Sequence, residues 1–225
     1  MDDSSLPDLI SRKMEQSLSS FPSHNESQQP LIPREPVYPG IHEEFRSGEA
    51  EWIISGVFGP AFTSEDFIPF RVLDSVLGGS MDSRLFTELR ERRGLAYQVG
   101  SQYSAHLGCG VYALYAVSTP SNREEILRLL NVECERLQQE PVSDDELERA
   151  KQYLIGRHIM GMESNAGRAA TLGTYELSGF GAEAVADYPR RLAEVAASHV
   201  REAAQRYLNN FVTMITTPKK LGALQ

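Results

Sequence analysis

The chain has 225 residues, 31 acidic against 22 basic, and a formal charge of −9. That acid surplus disfavours nucleic acid as a partner, because such affinity comes mainly from Lys and Arg neutralising phosphates. The two cysteines, Cys109 and Cys134, form no metal or redox motif and read as reduced thiols, and no apolar run approaches the ~20 residues of a bilayer span. The length allows one or two domains with a sizeable core. The acidic start MDDSSLPDL lacks the apolar stretch of a secretory signal, which points to the cytoplasm or an organelle matrix.

In chain order, Leu6, Leu9, Ile10, Met14, Leu18 and Phe21 recur at helical steps, predicting a helix over residues 4–21. Residues 22–40, PSHNESQQPLIPREPVYPG, are rich in Pro and polar side chains and read as an extended linker. The globular pattern begins at Ile41. Residues 42–46 form a candidate edge strand, and residues 51–58, EWIISGVF, a stronger one. Ser64 opens a helix whose start Pro69 delays or tilts, with Phe67, Phe70, Leu73, Val76 and Leu77 as its buried stripe.

The stretch LGGSMDSRLFTELRERRGLAYQVG, residues 77–100, organises the rest. Gly78 and Gly79 break the preceding helix in a tight turn, and Ser80 is placed to cap the next one. Leu85, Phe86 and Leu89 give that helix an apolar face. Arg90, Arg92 and Arg93 crowd its last turn, where cations suit the helix dipole. Gly94 supplies the left-handed stop. Leu95, Tyr97 and Val99 then alternate as in a half-buried strand.

Residues 98–103 and 110–116 pair across a turn at 106–108. Thr119-Pro120 starts a helix with Ile126, Leu129, Leu130, Cys134 and Leu137 on its inner face. Glu140-Pro141 ends it. Ser143 and Glu146 form a capping box for a long helix through Leu147, Ala150, Leu154 and His158, with an acidic, solvated first turn. Another helix covers residues 164–178, stopped by Gly179 and Gly181. Ser198 caps a helix with Val200, Ala204, Tyr207 and Leu208, and residues 211–217 form the last strand. Strands come in pairs and helices in runs, so the fold class is α+β with a mostly antiparallel sheet.

LGGSMDSRLFTELRERRGLAY, with ELERAKQYLIG at residues 146–156, resembles the pitrilysin/insulinase/mitochondrial processing peptidase family of zinc metallopeptidases, and within it the second, non-metal-binding half. The resemblance runs from about Val37 to the C-terminus. It implies a sheet with helices packed on one face, one wall of a substrate chamber, and zinc on a partner half or subunit. It also divides the chain into residues 1–40, a helix left over from a preceding half plus linker, and a peptidase-type domain over residues 41–225. Read without the family, the first helix is a native element docking on that domain.

The family's zinc motif, His-x-x-Glu-His, is absent: His24, His42, His106, His158 and His199 have no second histidine at the needed spacing. Neither a phosphate-loop pattern around Gly78 nor a Gly-x-Ser-x-Gly nucleophile is present. What the resemblance does place is an arginine and a tyrosine seven positions apart, Arg90 and Tyr97. It implies that they reach toward the zinc site of the other half and contact a peptide substrate there. A guanidinium offers fixed donors to a carbonyl or carboxylate, and a phenol can stabilise the oxyanion of amide hydrolysis. The plainer reading makes Arg90 a helix-end cation and Tyr97 a packed strand aromatic. At the level of the whole protein, the alternative is a non-catalytic scaffold or assembly subunit of the same family.

Overall fold

The computed structural model describes residues 39–219 together with Arg12, Lys13 and Gln16, which are helical. The chain separates into two compact units, Met1–Leu31 and Ile32–Gln225. The remainder of the helix expected over residues 4–21, and nearly all of the linker, lie outside the described residues.

The second unit is built on a five-stranded sheet in the order β1-β5-β2-β4-β3. Its strands are β1 (Gly40–Arg46), β2 (Glu51–Gly59), β3 (Gln98–Ala105), β4 (Gly110–Ser118) and β5 (Val212–Pro218). Three pairings are antiparallel, and only β1 runs parallel to its neighbour β5. The helices are α1 (Phe67–Asp74), α2 (Arg123–Gln139), α3 (Asp144–Gly161), α4 (Asn165–Leu177), α5 (Tyr188–Ala193) and α6 (Ala197–Tyr207). Two π-helical segments, Ser75–Gly79 and Phe86–Arg92, flank the central corner. The class is α+β with a mostly antiparallel sheet.

Alternation along the strands sorts the two faces of the sheet. Ile53, Leu114, Ala116 and Ile215 point to the helices and are buried. Phe67, Phe70, Leu73, Val76 and Leu77 meet them from α1 and the first π-helical segment, and Ile126, Leu129, Leu130, Cys134 and Leu137 from α2. The opposite face carries Trp52, Ile54, Met214 and Val111, each more than 40% exposed. Ile54 lies directly across from both Met214 and Tyr115. Helices therefore cover one face and leave an open, partly apolar one.

Several local expectations need correction. Ser80 does not accept an N–H of the next helix. Its hydroxyl instead acts as a donor, with its one proton shared between Asp82 Oδ1 at 2.6 Å and Ser75 O at 3.1 Å. The last helix begins ahead of Ser198: Ala196 occupies the cap position, and His199 Nδ1 accepts the Ala196 N–H at 3.1 Å, the role a glutamate plays in a capping box. Leu95 and Tyr97 are not yet in a strand. β3 starts at Gln98, so Ala96 is buried while Tyr97 stays exposed. Arg93, placed by the sequence as a cation of the helix end, also bonds Glu88 at 3.1 Å and Glu125 at 3.0 Å. The helix α5, too short to show a period, was not expected.

Candidate functional site

Arg90 lies in the second π-helical segment, Phe86–Arg92, whose wider turn still buries Leu85 and Leu89 completely. Gly94, at φ +62°, reverses the chain, a backbone state costly for any side chain with a Cβ. The Leu95 N–H closes the turn on Leu89 O at 2.7 Å. Leu95 O is then held by the Ser118 hydroxyl and by Asn122 Nδ2 at 3.0 Å. The Tyr97 N–H bonds Val117 O at 2.8 Å. The backbone between the two candidate residues is thus pinned at three points to β4 and the start of α2.

The side chains themselves are free. The Arg90 guanidinium stacks over the Phe86 ring, 5.1 Å from its centroid, and the Tyr97 side chain is 62% exposed. Arg90 lines an open cleft of about 400 Å³ that also takes in Gln98 and Tyr115, residues of the uncovered sheet face. Tyr97 does not line this cleft, though Gln98 next to it does. Gly78 packs so closely on β3 that a Cβ there would come within 2.8 Å of Ser101. That contact brings the glycine corner against the sheet.

The second family-like string supports this corner from behind. Glu146 completes the capping box with Ser143 as expected, but it is not solvated. Its carboxylate also accepts Arg84 Nε at 2.7 Å and Arg84 Nη2 at 3.1 Å. Arg84 lies two residues before the second π-helical segment, so this pair ties α3 to the start of the turn that carries Arg90. Burial raises the Glu146 pKa, but the Arg84 and Ser143 hydrogen bonds outweigh it and hold the carboxyl near 2. With the folded pKa depressed, the pair's contribution is fully present above the ordinary glutamate value of about 4.5 and is lost as pH falls toward 2. Discounting for partial exposure, that amounts to about 1–2 kcal/mol. Glu146→Gln should therefore flatten the stability profile across this window, read by urea unfolding at successive pH values.

Among the described residues, no group of three or more His, Cys, Asp or Glu side chains is placed to hold a metal ion. Two of the described histidines have imidazoles engaged elsewhere, and a third closes a turn through its backbone. His199 caps α6, His158 packs against the Tyr188 ring at 4.7 Å, and the His106 N–H bonds Cys109 O at 3.0 Å to close the β3–β4 hairpin. No donor set among the described residues fits a zinc ion. Nor is any helix among the described residues long and apolar enough to cross a membrane.

The family model for the peptidase M16 inactive domain matches residues 7–154. The chain belongs to the M16 peptidase family. An uncharacterized zinc protease of Streptomyces coelicolor is 36% identical over 163 residues, 72% of this chain and 36% of that protein. One from Rickettsia felis is 33% identical over 126 residues, 56% of this chain and 30% of that protein. These matches span about a third of the relatives' length. Among solved structures, the peptidase M16 inactive domain from Pseudomonas fluorescens superposes with a TM-score of 0.83 at 22% identity, covering 97% of this chain and 52% of that one. A Helicobacter pylori protease gives 0.75 at 21% identity over 94% and 52%. The shared fold is that of an M16 inactive domain. The glycine corner lies within the matched residues.

Proposed function

We propose that this M16 domain is the C-terminal half of a zinc metallopeptidase. It forms one wall of the substrate chamber and lends Arg90 and Tyr97 to peptide hydrolysis at a zinc site held by another half or subunit. The observation that carries the reading is the pinned corner. Two polar side chains of the right chemistry are held out on an ordered backbone, and neither has a side-chain hydrogen bond among the described residues. In this reading the open sheet face bearing Trp52, Ile54 and Met214 looks onto the chamber, and the guanidinium and phenol meet the carbonyls of an extended peptide. A buried or ion-paired Arg90 would have had no donors to give.

The zinc-bearing half is the partner this requires. Mixing the chain with that half should produce peptide hydrolysis that neither gives alone, while the isolated chain should copurify with no stoichiometric zinc by atomic absorption. Hydrolysis by the isolated chain, or full activity of the other half without it, would contradict the assignment.

A further inference from the structure

The cleft beside Arg90 has a composition at odds with the rest of the molecule. The chain carries 31 acidic and 22 basic residues, and most described arginines are ion-paired. Yet none of the residues lining this cleft carries a carboxylate, and two of them are arginines, Arg90 and Arg157. Neither has an ion-pair partner among the described residues. Each guanidinium instead lies against an aromatic ring: Arg90 over Phe86, and Arg157 at 5.8 Å from the Tyr153 centroid. Arg157 Nη1 donates to Tyr153 Oη at 3.3 Å, and that phenol donates to Gly79 O at 3.0 Å. This relay fixes Arg157 from α3 to the same glycine turn that shapes the cleft. The Asp74 carboxylate lies behind this wall, deeply buried; it accepts the Ser101 hydroxyl at 2.5 Å and feels Arg71 and Arg157 through space, but it does not line the cleft.

Both guanidinium groups face the same water-accessible cleft, no carboxylate lines it, and an anion bound there would be attracted by both. A guanidinium has five N–H donors in a fixed fork. Arg157 spends one on Tyr153, and Arg90 spends none on a described side chain. Stacking on rings restricts both forks, so less freedom is lost on binding.

We infer that the cleft between Arg90 and Arg157 is a subsite for a peptide carboxylate, and that Arg157 sets a preference for acidic substrates. This rests on the proposed role of Arg90 in peptide hydrolysis but is tested apart from it. The carboxylate is either an Asp or Glu side chain or the C-terminus of a peptide. Three short peptides that differ only there separate the sources: one amidated with an internal Glu, one amidated with Gln, and one with Gln and a free C-terminus. Titrated calorimetrically into the full chain without the zinc-bearing half, one or both acidic peptides should bind about tenfold more tightly than the neutral one. The acidic peptide that shows the gain names the source.

Arg157→Gln should remove that selectivity while leaving binding of the neutral peptide in place, and Arg157→Lys should keep part of it. A merely structural Arg157 would shift all three peptides alike. Equal binding of the three, a uniform loss in Arg157→Gln, or no binding of any peptide at millimolar concentration overturns the inference. If acidic selectivity is absent but Arg90→Ala still depresses hydrolysis of the neutral peptide by the assembled enzyme, the carboxylate subsite fails and the peptidase reading stands. Selectivity without any effect of Arg90→Ala on hydrolysis gives the converse.

Discussion

Arg90→Ala, in the chain assembled with its zinc-bearing half, should lower kcat for a neutral peptide by about a hundredfold or more, with a smaller change in KM. The magnitude follows from the cost of deleting one preorganised donor aimed at charge that develops in the transition state. The preorganisation is visible in the ring contact with Phe86, in the Leu95 N–H bond that closes the Gly94 turn, and in the grip of Ser118 and Asn122 on Leu95 O. Tyr97→Phe is the cleaner partner experiment, because it removes a hydroxyl and keeps the ring. If that hydroxyl donates to the oxyanion, the loss should be of similar order and should also fall on kcat. Both side chains are exposed, so either substitution should leave the unfolding midpoint nearly unchanged, within about 0.5 kcal/mol. The combination of an intact fold with a large kcat loss separates the readings. An Arg90 that is only a helix-end cation would cost about 0.3–1 kcal/mol of stability and nothing in turnover. A scaffold subunit would let its partner run at the same rate with either variant, and that result would refute the catalytic role.

The parts of this fold legible in the sequence were those set by neighbours along the chain. The stripe from Phe67 to Leu77, the β3–β4 hairpin, the Ser143–Glu146 capping box and the Gly94 stop each depend on a few adjacent residues and a fixed period, and each is present. The illegible parts depend on what the chain meets far away. Glu146 looked like a solvated acid because nothing nearby announces Arg84, which reaches it only once α3 crosses behind the second π-helical segment. Ser80 had the chemistry of a cap, but its hydroxyl turns to Asp82 and the Ser75 carbonyl as a donor. Tyr97 seemed to alternate with Val99, yet the strand begins one residue later, so the parity shifted and left the phenol outside. Of the cleft, sequence reasoning found Arg90 through its motif. It missed Arg157, whose only signal was a cation late in the helix of the second string, indistinguishable there from a solvated one. The uneven legibility has a physical root: local hydrogen bonds write their requirements into adjacent positions, whereas a cleft wall is a coincidence of surfaces from separate elements.

A second large effect is expected at the far edge of the sheet, where a charge with no route to water holds three strands and a helix together. Glu51, on β2, is fully buried. Arg123, the first residue of α2, donates Nε to Glu51 Oε1 at 3.0 Å and Nη2 to Glu51 Oε2, and Nη2 also reaches Glu43 of β1 at 2.7 Å. Thr217 of β5 supplies one hydroxyl proton, within 2.8 Å of Glu43 and 3.0 Å of Glu51, so it can serve only one of them at a time. Arg123→Met would therefore strand the Glu51 carboxylate in the interior with at most one neutral donor. Breaking a buried pair in this way typically costs about 3–5 kcal/mol. The lower end is expected here, since Arg123 keeps a quarter of its side chain in water. For a chain of this size, about 3 kcal/mol corresponds to roughly 6–12 °C in Tm. The reverse substitution, Glu51→Gln, should cost less, because Arg123 retains Glu43 and its exposed edge. Glu51→Gln added to Arg123→Met should recover about half of the loss or more, because the uncompensated charge is gone. Urea unfolding at neutral pH checks the order of the three variants. Equal losses in the two single variants would mean that packing, and not the stranded charge, sets the stability of this edge.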